Sequence, residues 1–207
     1  MARPSRIPLF PLDTVLLPGM KMPLHIFEPR YKTMISLCLR EHLEFGIILA
    51  ASKAVATLGC TAEILEKVKD YSDGRMDILT EGRAVFRLNE LIDEKEYYEG
   101  NVEYVGDEVA DVDPQPEARL IEPFVKCVGL LYGRPWVDEH ASQPETLSYR
   151  MAGLLPMELD KRQALLEMRS ETERRKLVSQ WIAEFLPKLL AQHRIRERAA
   201  GNGHGPN

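Results

Sequence analysis

The sequence has no long apolar run, and this sets the first limits on the kind of protein it encodes. No stretch approaches the roughly 18 to 20 consecutive apolar residues that a membrane-spanning helix needs. The N-terminal residues MARPSRIPLFPLD likewise contain no apolar segment of the length typical of a secretory signal. We therefore expect a cytoplasmic protein with no membrane partner.

Cysteine is scarce as well. The 207 residues include three cysteines, Cys38, Cys60 and Cys127, at wide and unrelated spacings. An odd number without any C-x-x-C pair indicates neither a disulfide framework nor a zinc site. This pattern predicts free, buried thiols in a reducing compartment and no metal.

The sequence signatures of several enzyme classes are missing. There is no G-x-x-x-x-G-K-[ST] phosphate loop, no G-x-G-x-x-G, no G-x-S-x-G and no H-E-x-x-H motif. The five histidines form no visible constellation with other ligand-type residues. We therefore expect no catalytic residue and no cofactor, and we interpret the chain as a protein that is not an enzyme.

Positive charge is deficient in the first half of the chain. Residues 1–113 hold 13 Lys/Arg against 20 Asp/Glu, whereas residues 114–207 hold 14 against 12, for a net charge of −5. Nucleic-acid affinity rests largely on clustered cations that release counterions from phosphates. An acidic first half therefore argues against a nucleic-acid partner.

The first hundred residues read as a β-rich unit. Short apolar runs separated by Pro and Gly are typical of strands and turns, as in IPLFPLDTVLLPG (7–19) and FGIILA (45–50). Asp73-Gly74 predicts a hairpin turn. Further strands are predicted at 59–70, 84–93 and 97–106, with Ala62, Ile64 and Leu65 facing inward in the first of them.

One helix is predicted inside this β-rich unit. Pro29 suits the first helical position, where its missing N–H costs nothing. Apolar residues at helical spacing then continue to a helix end near His42 (Tyr31, Met34, Ile35 and Cys38).

Beyond the acidic, proline-bearing segment DEVADVDPQPEA (107–118) the apolar period becomes helical. Helices are predicted at 116–132, about 143–153, 158–169 and 171–198. Ser170 and Glu173 form a capping-box pattern at the start of the last helix, and Pro187 should kink or break that helix after about Phe185. The predicted organisation is a β-rich unit at 1–113, a helical unit at 114–199 and a disordered tail at 200–207.

The segment PLHIFEPRYKTM (23–34) holds four candidate binding residues, which we call the turn cluster: His25, Glu28, Arg30 and Tyr31. Such side chains serve as bases, metal ligands and anion clamps. They also fit a structural role, in which Glu28 accepts from helix N–H groups or pairs with Arg30, and Tyr31 packs on the core. We favour the structural interpretation, with a polar contact site as the alternative.

A second group of candidates lies in the loop LYGRPWVDEH (131–140), which places Tyr132, Arg134 and Trp136 around glycine and proline. A tryptophan in such a loop either caps the core or forms an exposed edge for binding a peptide. Met20 and Met22, in a proline-rich segment, would add adaptable apolar surface.

Several segments in order resemble the N-terminal, substrate-binding domain family of Lon proteases. They cover nearly the whole chain: IPLFPLDTVLLPGMKMPLHIFEPRYKTMI (7–35), FGIIL (45–49), GCTAEI (59–64), DGRMDILTEGRAVFRL (73–88) and LLPMELDKRQALLEMRSETERRKLVSQWI (154–182). The resemblance implies an α+β fold, with a PUA-like, β-barrel-type N-terminal subdomain, one packed helix and a C-terminal helical bundle. It also implies recognition of unfolded or damaged polypeptides.

In Lon proteases an ATPase and a Ser–Lys peptidase follow this module, and this sequence contains the segments of neither. We therefore expect a stand-alone, non-catalytic member, monomeric or weakly dimeric, that binds unfolded polypeptide or a protein partner through apolar surface. The alternative is a regulatory module that binds a small molecule or anion at the turn cluster.

Overall fold

Six strands in the first half of the chain pair into one sheet that closes on itself. The computed structural model describes residues 3–51, 54–108, 118–138 and 142–201. The strands are β1 (Arg6–Leu12), β2 (Lys21–Ile26), β3 (Phe45–Ala51), β4 (Ala54–Asp70), β5 (Met76–Ile92) and β6 (Glu99–Tyr104).

The sheet closes because β5 is long enough to serve three neighbours. The strand order is β2-β5-β4-β3-β1-β6, and β6 returns to pair with the second half of β5. Strand β2 pairs with the first half of β5, and β1 runs parallel to β3 while the other neighbours are antiparallel. The predicted separate strand at 84–93 is therefore part of one strand of 17 residues.

Helix α1 (Pro29–Glu41) packs on the barrel as predicted. Its buried side chains share a hydrophobic cluster with strand residues such as Phe10, Phe45 and Ile78, and we call this the α1 cluster. Pro29 is its first residue, and His42 ends it in the left-handed conformation, with φ 53°.

The prediction that Leu65 faces inward is wrong. Ala62 is buried and Ile64 packs against the α1 cluster, but Leu65 is 41% exposed. The β4–β5 register shifts between Ile64 and Glu66, so Leu65 is the extra residue of a bulge. A bulge breaks the strict alternation of faces on which the prediction rested.

The second half of the described chain is helical, and its helices match the predicted ones closely. They are α2 (Ala118–Tyr132), a 3₁₀ turn (Pro144–Thr146) leading into α3 (Leu147–Gly153), α4 (Leu159–Glu167) and α5 (Glu171–Gly201). The α+β prediction, a barrel-type subdomain followed by helices, is confirmed. The predicted boundary near residue 113 lies outside the described residues, and so does the predicted tail at 200–207 except for its first two residues, which continue α5.

A kink or a break was predicted at Pro187, and the break does not occur: α5 is one helix across this residue. The proline removes one backbone donor. Flanking side chains, the partly buried Phe185 and Leu186 and the buried Leu189, nevertheless pack against the main helical core and hold the helix on both sides of it. The predicted cap at its start is present, with the Glu173 backbone N–H donating to Ser170 Oγ at 3.4 Å.

One hydrophobic cluster joins the barrel to the helices. Val15, Leu17, Leu58 and Val85 from the first half pack with helical residues that include Leu120, Phe124, Val128, Met151, Leu165, Val178 and Ile182. The two halves therefore share a core and cannot separate without exposing it to water.

A fully buried arginine fastens the chain leaving the barrel to this helical core. Arg174 of α5 donates to both carboxylate oxygens of Asp107, which lies just after β6, and to Glu171, which is 2% exposed. It also donates to Ser148 Oγ and to the carbonyls of Glu145 and Met168, and its guanidinium lies 4.1 Å from the centre of the Tyr149 ring. Burial lowers the pKa of Arg174, but the bonds to Asp107 and the charges of Tyr149, Asp107 and Glu171 together outweigh burial and hold the pKa above the ordinary value. We call this arrangement the Arg174 clamp.

A second contact between the halves depends on Gly19. Gly19 adopts φ +74° and hydrogen-bonds through its N–H to the Gly82 carbonyl. A Cβ at Gly19 would lie 2.8 Å from Cγ of Arg150 in α3. Arg150 is itself fixed, because it donates to both oxygens of Asp138, to the Gln143 carbonyl and to Thr146 Oγ1.

Replacing Arg174 by methionine should lower the free energy of unfolding by about 3–5 kcal/mol, because the carboxylates of Glu171 and Asp107 lose their buried cation. Urea denaturation measures the loss. Arg194→Ala, at an exposed position of the same helix, is the control and should change stability by less than about 0.5 kcal/mol. A loss below about 1 kcal/mol for Arg174→Met would contradict a stabilising role of the Arg174 clamp.

Replacing Gly19 by alanine should cost roughly 2–4 kcal/mol, from the left-handed backbone and from overpacking against Arg150. Gly133 has φ +65° with nothing within 4 Å of its Cβ position, so Gly133→Ala should cost only about 1 kcal/mol. Thermal unfolding compares the two variants. Equal losses of stability in the two variants would show that a Cβ at position 19 does not clash with Arg150.

Candidate functional site

The turn cluster does not form one site. His25 Nδ1 lies 2.5 Å from Asp77 Oδ1 on the neighbouring strand β5. The hydrogen bonds with His25 and then with the Tyr71 hydroxyl lower the pKa of Asp77 below its ordinary value. The His25 ring also stacks on Phe27, with centroids 5.9 Å apart.

Arg30 and Glu28 pair with each other at the start of α1. Arg30 Nε donates to Glu28 Oε2 at 2.9 Å, and the guanidinium lies 4.5 Å from the centre of the Tyr31 ring. Tyr31 is buried and packs on Phe10, with ring centroids 4.1 Å apart. Glu28 precedes α1 but makes no side-chain cap bond to it. These contacts agree with the structural interpretation.

The loop candidates, in contrast, lie together in a cleft of about 650 Å³ between the barrel and the helices. We call it the junction cleft. The barrel side supplies Gly19, Met20, Lys21 and Glu81; the helical side supplies Val128, Tyr132, Arg134, Pro135, Trp136, Val137, Asp138, Arg150, Gly153 and Leu154. Tyr132, Arg134 and Trp136 are thus neighbours, and none of the turn cluster lines this cleft.

Aromatic side chains form the helical wall of the junction cleft. Trp136 packs edge-on against Phe124 of the core, with ring centroids 4.9 Å apart, and is partly buried. Tyr132 is 49% exposed, and its hydroxyl donates to the Leu154 carbonyl at 2.7 Å. Val137 beside them is 74% exposed. Trp136 therefore combines the two roles considered for it, capping the core and lining an open surface.

The two methionines considered as binding surface, Met20 and Met22, lie in different places. Met20 lines the junction cleft, and a Cβ added to Gly153 would lie 3.1 Å from its Cγ. Met22, in contrast, is 8% exposed and belongs to the α1 cluster. Of the two, only Met20 lines the cleft, because it precedes β2 in the turn that follows Gly19, whereas Met22 lies within β2 and is buried in the core.

Fixed ion pairs form the polar part of the cleft. The carboxylate of Asp138 receives two bonds of 2.9 Å from Arg150, and Glu81, 2% exposed, pairs with Arg83. Arg134 is exposed on the loop between α2 and Asp138 and has no ion-pair partner among the described residues. Among the described residues, the cleft thus offers apolar surface and one guanidinium without an ion-pair partner, that of Arg134.

Sequence reasoning missed Gly19, Asp138 and Arg150 as parts of this cleft. Gly19 carries a local signal, since glycine after Pro18 favours a turn with positive φ. Arg150 and Asp138 carry none, because they meet only through the fold, 12 positions apart across a loop.

The described residues offer little for chemistry. They contain no group of three His, Cys, Asp or Glu side chains arranged to hold a metal ion. The three thiols are free and buried as predicted, and burial raises the pKa of Cys38 to about 12 and raises those of Cys60 and Cys127. Buried thiols of raised pKa are poor nucleophiles. Within the same residues, no helix has the length and apolar character required to span a membrane.

Comparison with known proteins connects this architecture to one family. The family model for the ATP-dependent protease La (LON) substrate-binding domain matches residues 6–184. The chain is similar to the Lon protease of Escherichia coli strain K12, with 27% identity over 93% of this chain and 26% of that protein. It is also similar to Lon protease 2 of Myxococcus xanthus, with 24% identity over 96% and 26%. The chain thus spans about a quarter of the length of these relatives.

Solved structures agree on the fold. A Lon N-terminal domain protein from Xanthomonas campestris aligns with a TM-score of 0.67 and 24% identity over 86% of this chain and 98% of that one. The N-terminal domain of the Mycobacterium avium complex Lon protease aligns with a TM-score of 0.61 and 18% identity, at the same coverage. The chain belongs to the substrate-binding domain family of ATP-dependent protease La (Lon).

Proposed function

We propose that this protein is a non-catalytic module that binds extended, unfolded polypeptide in the junction cleft. The observation that carries the proposal is the open apolar wall of that cleft, formed by Tyr132, Trp136 and Val137 and faced by Met20. Membership in a substrate-binding domain family supports a binding role. An exposed apolar surface held on rigid elements is typical of protein interaction sites.

The shape of the cleft suits side chains of an extended segment better than a folded surface. Its volume of about 650 Å³ accommodates a few large side chains. Met20 provides a flexible, polarizable face opposite the rigid aromatic rings, so different apolar side chains can be accommodated. Because ordering an unfolded segment costs conformational entropy, we expect a weak affinity, with Kd roughly in the micromolar range.

The match to the family concerns the substrate-binding domain, so no protease or ATPase residue is carried over to this chain. The buried thiols offer no accessible nucleophile, and the fixed ion pairs of the cleft, Asp138 with Arg150 and Glu81 with Arg83, are arranged as structural contacts. We therefore assign the cleft a binding role without chemistry. A cytoplasmic location, no nucleic-acid partner and a monomeric or weakly dimeric state remain predictions.

The alternative, a module that binds a small molecule or anion at the turn cluster, is less favoured by the contacts. Its principal cation, Arg30, is held by Glu28, and His25 is held by Asp77. We assign these residues to fixing the junction of β2 and α1. Phe27 beside them is 58% exposed and provides a useful control surface outside the cleft.

Binding of fluorescently labelled unfolded casein, followed by anisotropy, tests the cleft. Trp136→Ala should weaken binding about tenfold, because truncation of a central aromatic side chain at an interface typically costs more than 1 kcal/mol. Val137→Asp should have a similar effect, since it places a charge on the apolar rim at an exposed position that the fold does not need. Thermal unfolding of both variants checks that they are folded.

Phe27→Ala is the matched control, because it also removes a large exposed apolar side chain but lies beside His25. Its affinity for casein should equal that of the wild type. Weaker binding by Phe27→Ala than by Val137→Asp would place the binding surface at the turn cluster, and no binding by the wild type at tens of micromolar would reject the proposal.

A further inference from the structure

Once its internal ion pairs are taken into account, the junction cleft has more unpaired positive charge than unpaired negative charge among the described residues. The two carboxylates that line it already have cations: Asp138 has Arg150, in a two-bond pair, and Glu81 has Arg83. A bidentate Arg–carboxylate pair in a poorly hydrated site is among the stronger polar contacts in proteins. These acids are therefore not available to attract a positively charged ligand.

The loop of the cleft presents a cation without such a partner. Arg134 follows Gly133, whose φ of +65° turns the chain, and precedes Pro135, which restricts the backbone. Its side chain is exposed and forms no ion pair within the part of the chain that the structure describes. A planar guanidinium in this position can bind a carboxylate through two parallel hydrogen bonds.

A second arginine lies behind the aromatic wall. Arg162 of α4 donates to the Leu155 carbonyl at 2.9 Å, next to the Leu154 carbonyl that receives the Tyr132 hydroxyl. Its Nε is buried and has no hydrogen-bond partner among the described residues. Burial lowers the pKa of Arg162 below its ordinary value, and Tyr132 offsets this only in part.

A partly buried cation without a carboxylate is costly, and a nearby negative charge reduces that cost. Arg134 contributes a positive potential beside the apolar wall that Tyr132 and Trp136 form. A ligand that carries an apolar group next to a negative charge would contact the apolar wall and the positive potential at the same time.

We infer that the junction cleft selects polypeptide segments in which the carboxylate of an internal Asp or Glu neighbours a bulky apolar side chain. The apolar side chain contacts Trp136 and Met20, and the carboxylate binds Arg134. The inference rests on the proposed function and specifies its substrate. The carboxylate is that of a side chain because unfolded proteins present mostly internal segments.

A set of labelled peptides tests the inference with the intact protein. The peptides share one sequence with a central Trp-Leu pair, and the neighbouring residue is Glu, Gln or Lys, each with an amidated C-terminus. A fourth peptide carries Gln at that position and a free C-terminal carboxylate. The wild type should bind the Glu peptide about 5- to 10-fold more tightly than the Gln peptide, and the Lys peptide most weakly.

Arg134→Gln should bring the affinity for the Glu peptide to that for the Gln peptide, and leave the Gln peptide unchanged. Arg134→Glu should reverse the order, so that the Lys peptide binds more tightly than the Glu peptide. Arg194→Gln, at an exposed position on α5, is the control and should keep the wild-type preference. Raising the salt concentration to 0.5 M should reduce the preference of the wild type, since the contact is partly exposed.

Different failures have different meanings. Equal binding of the Glu and Gln peptides by the wild type would overturn the inferred acidic preference but leave polypeptide binding intact. Equal binding of the Glu peptide and the free-carboxylate peptide would overturn the choice of an internal side chain. Displacement of the Glu peptide by a single-stranded RNA at lower concentration than by casein would indicate a phosphate ligand and reject the inference. Failure of every peptide and of casein to bind would reject the proposed function itself.

Discussion

The structure depends most on the buried guanidinium of Arg174. It is the point at which the chain leaving the barrel, at Asp107, meets α3 and α5, and each of its nitrogens donates a hydrogen bond. A backbone hydrogen bond joins the same two segments, since the Glu108 N–H donates to the Arg169 carbonyl. A buried charge is tolerated only when it is fully paired, so the clamp permits essentially one arrangement of barrel and helices.

The junction cleft is a consequence of that fixed arrangement. The shared core below it includes Leu17 and Val85 from the barrel and Phe124 from α2, while Gly19 allows the barrel to approach Arg150 closely. The Arg150–Asp138 pair then fixes the end of the loop that carries Trp136. Preorganised walls reduce the entropy cost of holding a flexible ligand, which matters for a protein whose ligand is itself unfolded. In this account specificity comes from one aromatic wall and one available cation.

Much of the fold follows from local pattern. Apolar periodicity placed α2, α4 and α5 within a few residues, and Pro29 marked the start of α1. The departures have physical causes: a bulge moved Leu65 to the surface, and tertiary packing kept α5 continuous at Pro187, where a kink or a break was expected. The loop candidates Tyr132, Arg134 and Trp136 were found because aromatic residues around glycine are conspicuous in sequence. Their partners across the cleft were not, since contacts such as Gly19 with Arg150 exist only after folding.

Hydrogen–deuterium exchange with and without saturating unfolded casein tests the central claim, that polypeptide binds between barrel and helices, most directly. The account predicts slower exchange in the segments that line the junction cleft, 19–21, 128–138 and 150–154, and no change at residues 25–31 or at the β4–β5 hairpin around Gly74. Protection confined to residues 25–31 or to that hairpin, with the cleft segments unchanged, would contradict it.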